Sequence, residues 1–147
     1  MTLAIAELGA GIGLNSAGSV STACRSYGCA EDLFTWSEKS REEPRLAESW
    51  DLATDLKSVT IKIRKGVKFH NVEKDWGELK AQDIAWSYNE LNPSLNPTSI
   101  GWSAANLTAT FGNNPVVALD DNTVKFTFLE FDERCRSDES NQSIFIG

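Results

Sequence analysis

Three cysteines, Cys24, Cys29 and Cys135, and one histidine, His70, are the side chains of this 147-residue chain best suited to hold a soft metal or to serve as nucleophile and base. A structural zinc site brings paired C-x2-4-C units, whereas Cys24 and Cys29 form one wider pair with no second pair to match. The spacing allows a Cys24–Cys29 disulfide with Cys135 left over, or three thiols acting as small buried hydrophobes. A Ser/His/Asp or Cys/His unit would have to use His70 as its base, yet no G-x-S-x-G elbow or activated-cysteine context accompanies it. His70 reads as a strand-end histidine in a structural hydrogen bond.

Glycines 9, 11 and 13 follow a short apolar run, as in a dinucleotide fingerprint, where glycines let the backbone approach a pyrophosphate. The last glycine of G-x-G-x-x-G would fall on Leu14 or Ser16, and no helical pattern begins there. The acidic pairs Glu42-Glu43 and Asp120-Asp121 sit in polar stretches, and sequence neighbours do not face each other across a substrate. Trp36, Trp50, Trp76, Trp86 and Trp102 could stack on a ligand, but large aromatics mostly fill cores, and most of these five are expected to do so. The reading is of a protein that is not an enzyme and carries no catalytic residue, metal or cofactor.

The elements that would position these residues alternate by period. Val59, Ile61 and Ile63 alternate with Thr60, Lys62 and Arg64, and Val124, Phe126 and Phe128 alternate with Thr123, Lys125 and Thr127. Both read as half-buried strands of one antiparallel sheet. Ile84, Tyr88 and Leu91 line one face of a helix over Ala81–Leu91, which Asn92-Pro93 ends. A strand is expected over Thr2–Leu8, a short helix over Cys29–Trp36, a surface connection over Ser37–Pro44, and an ordered loop over Pro93–Val116. Strands with one or two short helices and little βαβ rhythm predict an α+β fold with a mixed or antiparallel sheet and long loops.

Length and charge narrow the function. A chain of this size buries roughly two-thirds of its unfolded surface in one core. Its 14 Lys+Arg against 21 Asp+Glu give a net charge of −7, which opposes the phosphate contacts that dominate nucleic-acid binding. No run approaches the roughly 20 apolar residues of a membrane span. Met1–Leu8 lacks the basic lead and long apolar stretch of a secretory signal.

Three runs in the middle of the chain carry a resemblance: L-A-E-S-W-D over 46–51, V-T-I-K-I-R-K-G-V-K-F-H over 59–70, and A-Q-D-I-A-W-S-Y over 81–88. Their order and separations resemble the family 5 extracellular solute-binding proteins, the oligopeptide, dipeptide and nickel receptors of ABC importers. Glu31-Asp32-Leu33-Phe34 is similar to that family's first-helix segment, and Asp120–Phe128 to its D-D-x-T-V-x-F-T-L strand. Two departures stand out. Asn71–Trp76 lengthens a loop before Gly77, and Lys80 replaces a helix-opening Thr, whose loss as a cap costs about 1 kcal/mol; Asp83 offsets part of this through the helix dipole.

The resemblance implies a type II periplasmic-binding-protein fold, with residues 1–131 as a partial first lobe and 132–147 as a divergent tail. It implies a peptide or other small-molecule ligand, an ABC importer permease as partner, and a periplasmic or cell-surface location, whereas the N-terminus as read leaves the cytoplasm open. First-lobe ligand contacts in the oligopeptide receptors correspond, by order along the chain, to Ser21, Thr22 and Trp102. In the family the ligand lies between two closing lobes, so a truncated first lobe alone is expected to bind weakly or not at all. The alternative is a self-standing interaction module, a homo-oligomer using surface that a second lobe would cover.

Overall fold

The computed structural model describes residues 31, 33–36, 42–69, 76–99 and 104–130. Its centre is the predicted strand pair: β4 (Ser58–Ile63) lies antiparallel to β6 (Thr123–Thr127), with Val59 opposite Phe126 and Ile61 opposite Val124. The alternation works as the sequence requires. Ile61, Ile63, Val124, Phe126 and Phe128 are buried, while Lys62 between them is exposed. Each such large side chain contributes roughly 1.5–3 kcal/mol by leaving water. β3 (Ala47–Leu52) flanks β4 and β5 (Val117–Asp120) flanks β6, completing an antiparallel sheet of order β3-β4-β6-β5.

The helix α1 (Ala81–Leu91) has the predicted limits and buries Ala81, Ile84, Ala85, Tyr88 and Leu91. Tyr88 meets Phe126 edge-on at 5.0 Å between ring centroids. Its start shows how Lys80 is accommodated. The Lys80 backbone N–H donates to Asp83 Oδ2 at 2.7 Å, and the Lys80 Nζ donates to Asp121 Oδ2 at 2.8 Å. The Ala81 N–H donates to the Asp121 carbonyl, so the turn between β5 and β6 caps the helix in place of a threonine hydroxyl.

Two expectations are corrected. The helix over Cys29–Trp36 does not form at its described end: Phe34–Trp36 is a strand, β1, paired antiparallel with β2 (Glu42–Pro44), which lies in the expected surface connection. A short apolar run fits either period, and here the tertiary pairing decides. The Leu33 carbonyl accepts from both the Arg45 and Ala47 N–H groups, tying this ribbon to β3. Within Pro93–Val116 a second helix, α2 (Ala104–Phe111), replaces part of the expected loop. Asn and Thr are weak helix formers, but Phe111 is buried against Tyr88, Phe126 and Phe128, and Gly112 at φ +54° ends the helix in the left-handed conformation that glycine adopts freely. The expected strand over Thr2–Leu8 lies outside the described residues.

Candidate functional site

The expected ligand contacts Ser21, Thr22 and Trp102 lie outside the described residues, as do Cys24, Cys29, Cys135 and His70. Among the described residues no cluster of three or more His, Cys, Asp or Glu has metal-binding geometry, and no helix is long and apolar enough to cross a membrane.

The described polar groups serve to hold backbone in place. Asn92, 2% exposed at the end of α1, donates from Nδ2 to the Gly112 carbonyl at 2.8 Å and accepts the Ser94 N–H on Oδ1 at 3.0 Å. One turn earlier, Asn89 donates to the Val116 carbonyl at 2.9 Å and accepts the Val116 N–H at 2.8 Å. Ser99 Oγ donates to the Leu91 carbonyl. These side chains fix the path from α1 through α2 into β5. Hydrophobic periodicity carries no trace of them; their only sequence signal is two asparagines three apart on a helix ending in Asn-Pro.

Among the described residues two titrating groups are shifted, Asp120 at the end of β5 and Lys80 at the start of α1. The Asn122 N–H, followed by the Thr123 hydroxyl, holds the Asp120 carboxyl below the usual carboxylate range. The hydrogen bond from Lys80 to Asp121, followed by the charge of that carboxylate, raises the Lys80 ammonium above its ordinary value. Both groups lie in the open at a structural turn, an arrangement that anchors a helix and a hairpin rather than moving a proton to a substrate.

The tryptophans depart from expectation. Trp50, Trp76 and Trp86 are 43%, 64% and 59% exposed; Phe111, Phe126, Phe128 and Tyr88 fill the core instead. The reason for Trp86 is positional, since it falls between Ile84 and Tyr88 on the outer face of α1 with Gln82 and Glu90. Trp50 lies on an edge strand, its ring 5.0 Å from Phe34 and perpendicular to it. Exposed rings of this kind offer apolar and stacking contact to a ligand or partner without any chemistry of their own.

Comparison with known proteins agrees with this architecture. Residues 42–133 match the bacterial extracellular solute-binding proteins, family 5. The chain is 35% identical over 96 residues to di/tripeptide-binding protein 1 of Pseudomonas aeruginosa, a stretch that is 60% of this chain and 18% of that protein. It is 33% identical over 97 residues to heme-binding protein A of Haemophilus influenzae, covering 61% of this chain and 18% of that one. In three dimensions it is similar to an ABC transporter-associated periplasmic binding protein from Helicobacter pylori in complex with a peptide, with a TM-score of 0.62 and 25% identity over 83% of this chain and 26% of that one. These relatives are solute-binding proteins rather than enzymes, and the match spans about a fifth of their length. The antiparallel sheet with α1 across it, lying inside the matched residues, belongs to a partial type II lobe, and the chain belongs to family 5 of the bacterial extracellular solute-binding proteins.

Proposed function

We propose that residues 1–131 are part of the first lobe of a solute receptor that presents short peptides to an ABC importer permease outside the cytoplasmic membrane, with 132–147 a tail beyond that pattern. The observation that carries this reading is the 96-residue match to a di/tripeptide-binding protein; the family match ending at residue 133 supports the boundary. Ser21, Thr22 and Trp102 are the proposed ligand contacts. Binding by these 147 residues alone is weak or lost, because a ligand held between two lobes takes much of its burial from the second.

The test is thermal unfolding of the 147-residue chain against di- and tripeptides. A ligand at 100 times its dissociation constant stabilises by about 2.7 kcal/mol, a shift of several degrees for this size. The expected shift appears only near millimolar peptide and disappears in Trp102→Ala. Saturation at micromolar peptide would overturn the weak-binding part, and a shift with heme but no peptide would overturn the ligand class.

A second reading, self-association through uncovered surface, is favoured by the exposed rings of Trp76 and Trp86. Sedimentation of the wild-type chain over a concentration series reads it directly, and a single slow species at every concentration rejects it.

A further inference from the structure

The last carbonyl groups of an α-helix have no partner within it, and those ending α1 find theirs in the chain that follows. The Glu90 carbonyl accepts from Asn96 Nδ2 at 3.1 Å, the Leu91 carbonyl from Ser99 Oγ at 2.8 Å, and the Asn92 carbonyl from the Leu95 and Asn96 N–H groups. Residues 92–99 are thus folded back onto the helix end. The Asn92 side chain reaches the other way as well: 2% exposed, it accepts the Ser94 N–H and donates to the carbonyl of Gly112, the residue after α2. Phe111 beside it meets Tyr88 of α1 edge-on, with ring centroids 6.2 Å apart. Both sides of the connection 100–103 are therefore tied to the last turns of α1. Ser99 is held by its own hydroxyl, and Ala104 by a helix about 12 Å long whose far end one buried carboxamide grips. That carboxamide has no water to replace a lost partner. Side chains that bind a ligand keep a productive geometry when the elements carrying them are locked by packing and by supporting hydrogen bonds of this kind.

We propose that Asn92 is a positioning residue for ligand capture: with Trp102 as the ligand contact proposed above, on which this rests, its carboxamide sets where the segment bearing Trp102 leaves α1 and enters α2. Asn92 acts through the backbone and touches no ligand itself.

The experiment follows the indole N–H resonances of the 147-residue chain carrying isotope-labelled tryptophan, the Trp102 signal being the one absent from Trp102→Phe. Asn92→Ala is expected to move the Trp102 signal and to leave those of Trp50 and Trp86 in place. Val124→Ala, which opens a cavity at a fully buried position of the sheet, controls for lost stability and is expected to leave the Trp102 signal where it is. With dialanine added to millimolar concentration, the Trp102 signal responds in wild type and in Val124→Ala, and Asn92→Ala binds at least ~10-fold more weakly. The proposal is overturned if Asn92→Ala leaves the Trp102 signal in place, if Val124→Ala moves it equally, or if Asn92→Ala binds dialanine as wild type does. A wild-type signal that ignores dialanine rejects dipeptide capture instead, and the ligand-free signals alone then decide whether Asn92 positions Trp102. Where Asn92→Ala does not keep the native far-UV circular dichroism, Ser99→Ala takes its place, since it removes the hydroxyl tie to Leu91 and keeps the Asn92 amide; the same comparisons decide.

Discussion

The β4–β6 pair and the stretch from Asn92 to Val116 are held by different physics. In the sheet, apolar side chains face each other across the ladder, Ile61 against Val124 and Val59 against Phe126, and no single polar group decides the geometry. In the connection, Asn92 and Asn89 on one helix reach the backbone at Gly112 and Val116, and the path depends on a few directional bonds. The first arrangement tolerates local error because burial is non-directional. The second does not, because a buried amide that loses its partner has no water to replace it.

Truncating the sheet side should give the largest effect. Phe126→Ala removes a fully buried ring that touches Tyr88 and Phe111, with an expected loss of about 3–5 kcal/mol in chemical denaturation; a loss under 1 kcal/mol would mean the aromatic cluster is not the centre of the fold. Asn92→Ala tests the other region and should cost about 1–3 kcal/mol through the unpaired Gly112 carbonyl and Ser94 N–H. Amide exchange sharpens that contrast: Asn92→Ala is expected to accelerate exchange around residues 94–96 and 112–116 selectively, whereas Phe126→Ala accelerates it throughout the sheet.

The smallest effect is that of pH on the turn joining the two regions. Asp120 has a depressed folded-state value, so its contribution is present above its ordinary 3.8 and is lost as pH falls through the lower folded value. Lys80 has a raised one, so its contribution is present below 10.5 and is lost as pH rises through the higher folded value. Both groups are exposed and screened by salt. The expected outcome is a thermal midpoint with shallow losses at the two extremes, the alkaline one reduced in Asp121→Asn and both weakened in high salt.

How much was legible in sequence follows the same division. Period-two alternation placed β4 and β6 with their buried faces, and i, i+4, i+7 spacing placed α1, because these elements pack against one core and their patterns record it. Phe34–Trp36 is too short for a period to declare itself, and its strand state comes from Glu42–Pro44, supplied by tertiary pairing. The helix α2 was hidden by Asn and Thr; the usable signals were Leu107 and Phe111 four apart with Gly112 after them. Residue type alone points Trp50, Trp76 and Trp86 inward, whereas position decides: Trp86 lies two residues from Ile84, on the side of its helix away from the core. The family was legible in residues 46–88, and the match over 42–133 agrees. The proposed contacts Ser21, Thr22 and Trp102 rested on order along the chain and fall outside the described residues.

The antiparallel pairing of β4 with β6 also governs how the chain tolerates change in length. Ile61 meets a partner on the order of 60 residues away, while the hairpins β3–β4 and β5–β6 close over short turns. Chain-closure entropy grows only logarithmically, so doubling the intervening segment would cost about 0.6 kcal/mol. The sheet's centre is thereby nearly indifferent to insertions between α1 and β5 that respect the two asparagine anchors. A fold built this way is free to vary the length of that connection while the same four strands persist underneath.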